Sequence, residues 1–218
     1  MSFDTERQLR VRYLHQGYLL ANILTGEIIM KNPMILLCTL LICLIGVNPA
    51  LAGSVYSYKT SAVKHPGKNI TPSEAYELIK KTPQNTFLVD VRTRAEHQFV
   101  GHPVGAYLVP VNFLSSTFKE KGYELVENPD FSKNIMKRFN SENDTLIFMC
   151  RSGGRSTMAL NAAVKAGWPV ERAYSIMGGF EGGKIKNPNS AFNGQRHGGG
   201  WRNEGLPWTY KMDPQRVY

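Results

Sequence analysis

Four short apolar runs, separated by helical patterns, constrain the fold of this chain more than any other feature. The runs cover Thr86–Val89, Ala106–Val111, Thr145–Met149 and Ala173–Met177, and helical patterns occupy 71–81, 130–139 and 156–166. Buried apolar strands that alternate with helices form parallel sheets covered on both faces. We therefore predict an α/β fold whose central parallel sheet is flanked by helices on both faces.

The start of the first helix has a complete set of signals. Thr71 is placed to cap it, Pro72 occupies the first helical position, and Glu74 stands where a capping box needs a carboxylate. The apolar stripe that follows predicts a helix that ends near Lys81, before Pro83.

The elements predict one domain over residues 71–210, with a linker at 53–70 before it and a tail at 211–218 after it. Two segments, 112–129 and 182–200, have no clear place in the alternating pattern. The second is rich in Gly, Asn and Lys, and we interpret it as an insert in the domain. Long loops often carry function, so both segments are expected to border a site.

The front of the chain predicts an export signal. The uncharged apolar run Met34–Val47 is shorter than the roughly 20 residues that span a bilayer. Lys31 precedes it and the small-x-small site Ala50–Ala52 follows it, which indicates a signal peptide over 30–52. Residues 1–29 are then a leader from a misassigned start. We predict a periplasmic or secreted protein; the alternative is a retained membrane anchor with the domain facing the periplasm.

The formal charge of +9 raises the possibility of an anionic partner. The Lys and Arg residues are scattered, and no basic run with stacking aromatic residues occurs, so we predict no nucleic-acid partner. Of three cysteines, Cys38 and Cys43 lie in the apolar run, which leaves Cys150 as a single thiol. One cysteine with scattered histidines lacks metal-ligand spacing, so no metal is expected.

Cys150 stands where a predicted strand passes through a tight loop into a helix. At this edge of an α/β sheet ligands bind, and the helix directs free N–H groups and its positive end toward the loop. A thiolate would gain from that end and from two arginines, whereas a buried bystander cysteine would not need them. The predicted catalytic residue is Cys150. The predicted substrate-binding loop consists of Arg151, Ser152, Gly153, Gly154, Arg155 and Ser156.

An ordered set of motifs accompanies this loop and resembles the rhodanese-like domain family over about residues 71–208. The set begins with FLVDVR at 87–92, followed by Glu96, and continues with Gly-His and Gly-Ala pairs at 101–106. It then has CRSGGRS at 150–156, MGGFEG at 177–182 and W-x3-GLP at 201–207. One departure is Pro103, which stands one place earlier than the proline of the family's usual Gly-His-x-Pro-Gly-Ala turn.

The resemblance implies a rhodanese-like fold and a sulfurtransferase. Cys150 would take sulfur from a small anionic donor such as thiosulfate as a persulfide, and pass it to cyanide, a thiol or a protein acceptor. No cofactor beyond that persulfide is expected. The resemblance also implies that Arg151 and Arg155 hold the sulfonate end of the donor.

Other matched residues are expected to support the site. The resemblance suggests that Asp90 ends its strand, that Arg92 pairs with an acidic group such as Glu96, and that His102 stabilises a turn. Two alternatives stay open. A cysteine phosphatase or arsenate reductase has arginine six positions after cysteine, where this chain has Ser156; a persulfide carrier or binding module would bind a protein partner.

Overall fold

The computed structural model describes Tyr56, Tyr58 and residues 64–218. The predicted leader at 1–29 and signal segment at 30–52 lie outside the described residues, so the export signal and its alternative stay predictions. Among the described helices, none is long and apolar enough to cross a membrane.

A parallel five-stranded sheet forms the centre of the domain. Its five strands are β1 (Lys68–Ile70), β2 (Thr86–Asp90), β4 (Tyr107–Leu108), β7 (Thr145–Met149) and β8 (Ala173–Ile176). Their order in the sheet is β1-β8-β7-β2-β4, and each neighbouring pair is parallel. This confirms the predicted α/β fold. The strands outside this sheet are β3 (His102–Pro103), β5 (Asn112–Lys119), β6 (Gly122–Glu127), β9 (Gly183–Lys184), β10 (Arg196–Gly198) and β11 (Trp208–Thr209).

Three α-helices cover the sheet: α1 (Pro72–Lys81), α2 (Phe131–Arg138) and α3 (Gly154–Lys165). The predicted capping box is present, because the Thr71 side chain accepts from the Glu74 amide while the Glu74 carboxylate accepts from the Thr71 amide at 2.9 Å. A π-helical turn at Glu96–Val100 and a 3-10 turn at Val170–Arg172 are the other helical elements in the described part of the chain.

Strand β7 shows how the two faces are buried. Leu146 and Phe148 belong to the apolar cluster that includes residues of α2 and α3, whereas Ile147 and Met149 belong to the cluster that includes Ala75 of α1. All four strand side chains are fully buried, and each such burial contributes roughly 1.5–3 kcal/mol. Helices therefore cover both faces, as the apolar runs predict.

Two boundaries differ from the sequence prediction on the amino side of the domain. The predicted linker at 53–70 is wrong for Lys68–Ile70, which pair with β8 as an edge strand. The predicted strand at 106–111 is reduced to Tyr107–Leu108. Beyond the strand, the amides of Val109 and Val111 still donate to the carbonyl oxygens of Asp90 and Val91, at 3.0 and 3.1 Å.

The predicted tail at 211–218 is also wrong, because its residues bind the domain. The amide of Leu108 donates to the Arg216 carbonyl oxygen at 2.7 Å, and Arg138 donates to the carbonyl oxygen of Val217 at 3.0 Å. Tyr218 packs against the apolar cluster that includes residues of α2 and α3. The carboxyl-terminal residues thus cover β4 at the edge of the sheet.

The two segments without a predicted place have structure of their own. Residues 112–127 form the antiparallel hairpin β5–β6, on which Phe118 and Tyr123 are exposed and contact each other edge to face. The insert at 182–200 contains the short antiparallel pair β9–β10, in which Arg196 lies opposite Lys184.

Candidate functional site

Cys150 follows β7 directly and therefore lies at the carboxyl edge of the sheet. Its Sγ accepts a hydrogen bond from the Gly153 amide at 3.1 Å, and the residue is only 2% exposed. Gly153 has a φ of +115°, a conformation that glycine adopts without strain, and it caps α3. The predicted tight loop at the start of a helix is therefore present, with the sulfur on its inner side.

Two serine hydroxyls lie beneath the sulfur. Ser156 Oγ donates to the Gly153 carbonyl oxygen at 2.7 Å and accepts from Ser175 Oγ at 3.0 Å. The Cys150 thiol lies 3.8 Å from Ser156 Oγ. The Ser156 hydroxyl is buried and hydrogen-bonded to two partners, so it supports the backbone of the loop. Arg151 and Ser152 are exposed, so the structure separates Ser156 from these two predicted binding residues.

The segment after β8 supports the cysteine loop from the side. The Phe180 amide donates to the Cys150 carbonyl oxygen at 2.8 Å, and the Glu181 amide donates to the Arg151 carbonyl oxygen at 2.9 Å. A Cβ at Gly179 would overlap the Cys150 carbonyl oxygen. The MGGFEG motif is therefore a backbone support of the cysteine loop, and glycine permits the close approach.

Arg155 is held by Glu96. Its Nη1 and Nη2 donate to the two Glu96 carboxylate oxygens at 2.7 and 2.6 Å, a bidentate pair that is mostly buried. Burial favours the neutral acid, but the hydrogen bonds and charge of Arg155 outweigh it and lower the pKa of Glu96. Arg155, predicted to hold the donor, already has a carboxylate partner and positions the first turn of α3.

Asp90 and Arg92 form a second, fully buried cluster at the end of β2. The Arg92 guanidinium donates to the Asp90 carboxylate, with Nη2 to Oδ2 at 2.7 Å, and also to the Gly101 carbonyl oxygen at 2.7 Å. Burial alone would raise the pKa of Asp90, but the charge of Arg92 and a hydrogen bond from His97 hold it well below its usual range. Arg92 therefore pairs with an acidic group, as predicted, but that group is Asp90; the suggested partner, Glu96, pairs with Arg155 instead.

His97 is the member of this cluster that sequence reasoning missed. Its Nδ1 lies 2.8 Å from Asp90 Oδ2, and its ring stacks on that of His102 with centroids 3.7 Å apart. His102 Nδ1 donates to the His97 carbonyl oxygen at 2.9 Å. The only signal in the sequence was the position of His97 on the turn that follows FLVDVR. Burial lowers the pKa of His102 and favours its neutral form.

The structure thus divides the predicted site residues into two groups on neighbouring strand ends. Cys150 and the loop at 151–156 form one group, while Asp90 and Arg92 form the other. Glu96 joins the groups through its pair with Arg155. Among the described residues, no group of three His, Cys, Asp or Glu side chains is arranged to hold a metal ion.

Comparison with known proteins identifies the family. The family model described as the Rhodanese-like domain matches residues 71–186. The chain belongs to the rhodanese-like domain family. The match covers both strand ends of the site and stops within the insert. Most of the insert and the W-x3-GLP motif of this rhodanese-like domain therefore lie beyond the matched region.

Three relatives of this rhodanese-like domain match it over 59–68% of the chain. An uncharacterized protein of Rickettsia conorii is 36% identical over 144 residues, which are 66% of this chain and 98% of the relative. The crystal structure of Rv0390 from M. tuberculosis is 32% identical, with a TM-score of 0.52, and the match covers 68% of this chain and all of that one. A mouse protein named thiosulfate sulfurtransferase/rhodanese-like domain-containing protein 3 is 29% identical over 59% of this chain and 78% of its own.

Proposed function

We propose that this protein is a sulfurtransferase that carries sulfane sulfur on Cys150, with thiosulfate as a donor. The observation that carries the proposal is the position of the Cys150 sulfur. Sγ lies inside a loop at the start of α3 and accepts a hydrogen bond from the Gly153 amide at 3.1 Å. The amide and the helix terminus favour a negative charge on this sulfur, and the same groups would stabilise a persulfide anion.

In the first half-reaction, the Cys150 thiolate attacks the outer sulfur of thiosulfate. The new bond joins Sγ to that sulfur, the S–S bond of thiosulfate breaks, and its electron pair leaves with sulfite. The enzyme retains a persulfide with one negative charge, so charge and atoms balance. This is nucleophilic catalysis with a covalent intermediate. The exposed Arg151 at the loop mouth is available to bind the departing anion by charge-assisted hydrogen bonds.

In the second half-reaction, an acceptor such as cyanide attacks the outer sulfur of the persulfide. The Sγ–S bond breaks, the thiolate of Cys150 is restored and thiocyanate leaves. A small thiol or a thiol on a protein could accept the sulfur in the same way. The name of the mouse relative, at 29% identity, supports thiosulfate as the donor to test first.

The test is the intact mass of the purified full chain before and after thiosulfate. We expect the protein to gain one sulfur atom, to lose it on addition of cyanide, and to gain none when Cys150 is replaced in Cys150→Ala. Ser116→Ala, which alters an exposed side chain on β5 outside the cysteine loop, is the control and should still take up sulfur. No uptake by the wild-type protein, combined with hydrolysis of an aryl phosphate, would instead establish a cysteine phosphatase.

A further inference from the structure

The insert at 182–200 brings an additional arginine toward the cysteine loop. Arg196 lies on β10, and its Nη1 donates to the Gly182 carbonyl oxygen at 2.9 Å. Asn203 fixes the surrounding backbone by donating to the carbonyl oxygens of Glu181 at 2.9 Å and Gly199 at 2.7 Å. The guanidinium is therefore anchored at the base of the insert.

That base is continuous with the support of the cysteine loop. Glu181, the residue before Gly182, donates its amide to the Arg151 carbonyl oxygen at 2.9 Å. Partial burial, together with the positive charge of Arg151, lowers the pKa of Arg196, while Glu181 and Cys150 act in the opposite direction. The geometry agrees with this, because Arg196 binds the carbonyl oxygen of Gly182 and the preceding residue, Glu181, binds the backbone of Arg151.

Of four arginines around the loop, two have ion-pair partners among the described residues and two do not. Arg92 is paired with Asp90, and Arg155 is paired with Glu96. Within the part of the chain that the structure describes, no carboxylate lies within ion-pair distance of Arg151 or Arg196. Glu181 contributes a negative charge to this region without forming an ion pair with Arg196. Two guanidinium groups that share a region and have no ion-pair partner form a site that favours an anion.

We infer that Arg196, supplied by the insert, and Arg151, supplied by the cysteine loop, together bind the sulfonate end of a doubly charged sulfur donor. This inference rests on the proposed sulfurtransferase function and extends it to donor selection. A donor with two negative charges, such as thiosulfate, gains from both guanidinium groups. A donor that has lost one charge at the far end gains less.

The experiment compares two donors that differ at this end. Methanethiosulfonate has a methyl group where thiosulfate has one of its oxygens, and it carries one negative charge instead of two. We measure the second-order rate constant for persulfide formation with each donor. In Arg196→Gln we expect the constant for thiosulfate to fall about tenfold, which corresponds to about 1.4 kcal/mol. The constant for methanethiosulfonate should fall less than about threefold, because a single charge gains less from a second guanidinium.

Two further variants separate charge from structure. Lys184→Gln removes a positive charge from the strand opposite Arg196 and should leave the preference between the donors unchanged. Arg196→Lys keeps the charge and should restore part of the rate constant for thiosulfate. An equal fall for both donors in Arg196→Gln, or an equal change of preference in Lys184→Gln, would overturn the inference.

A measurement on the wild-type protein does not depend on how the variants fold. Salt screens the attraction between separated charges, so the preference for thiosulfate over methanethiosulfonate should decline as ionic strength rises. A preference that does not respond to salt contradicts the subsite. If neither donor loads the wild-type protein, the proposed function itself fails, and this result is distinct from loading without a preference that depends on Arg196.

Discussion

The ends of strands β2 and β7 lie side by side in the sheet, with Asp90 opposite Met149, yet they have opposite electrostatic characters. At the end of β2, Asp90 and Arg92 are 0% exposed and satisfy each other's charge. At the end of β7, Cys150 is followed by the exposed Arg151, which lacks such a partner among the described residues.

The difference shows how one sheet edge combines rigidity with reactivity. Buried charges are retained only when they are paired and hydrogen-bonded, and a cluster of this kind is structural. In the neighbouring loop, the Gly153 amide and the positive end of α3 both face the Cys150 sulfur. Glu96 connects the two regions, because it binds Arg155 at the start of α3 and accepts from the Thr93 amide just beyond β2.

The largest expected effect comes from breaking the closed cluster. Asp90→Asn leaves Arg92 buried without a negative partner, so we expect the free energy of unfolding to fall by about 3–5 kcal/mol. Urea denaturation followed by circular dichroism measures it. Asp213→Asn breaks the exposed pair with Arg216 and should cost less than about 1 kcal/mol. If both variants lost the same free energy of unfolding, the buried pair of Asp90 and Arg92 would contribute no more to stability than an exposed pair.

An intermediate effect is expected at the connection between the two regions. Glu96→Gln removes the charge-assisted bonds to Arg155, and we expect a loss of about 1–3 kcal/mol in the free energy of unfolding. The rate constant for persulfide formation should fall as well, since Arg155 no longer fixes the start of α3. Glu77→Gln, which alters an exposed pair with Lys80, is the matched control and should change neither quantity.

The pH dependence of the same variant sharpens the test. The folded-state pKa of Glu96 is lowered from the ordinary value of 4.5. Its stabilising contribution is therefore complete above that value and is lost as pH falls below it. Wild-type protein should lose this contribution on acidification, while Glu96→Gln should show a flatter decline over the same range. Parallel declines would contradict the role of the carboxylate charge.

The smallest effect is expected at the stacked histidines. Burial lowers the pKa of His102 from 6.5, because the folded protein favours the neutral ring. The contribution of neutral His102 to the free energy of unfolding is therefore complete above pH 6.5 and is lost as pH falls below it. Between about pH 7.5 and pH 5.5, His102→Gln should lose less stability than the wild-type protein. His197→Gln, on the exposed part of the insert, is the control and should follow the wild-type curve. Thermal unfolding at each pH measures the difference.

Much of the fold could be predicted because local signals agreed with the tertiary structure. The capping box at Thr71 and the apolar runs of β2, β7 and β8 identified their elements directly. Predictions were wrong where a segment gains order only from contact with another. Lys68–Ile70 become a strand because β8 offers an edge, and the last residues are ordered because they bind Leu108 and Arg138.

The candidate site divides in the same way. The sequence alone determined that Cys150 follows a buried strand and precedes a helix, because that order depends only on nearby residues. Only the tertiary structure decided which groups meet: Arg92 binds Asp90, Arg155 binds Glu96, and Arg196 binds the Gly182 carbonyl oxygen at the base of the insert. Pairing between buried charges depends on which side chains are brought within a few ångströms by the packing of the sheet and its loops, and no spacing along the chain specifies that distance.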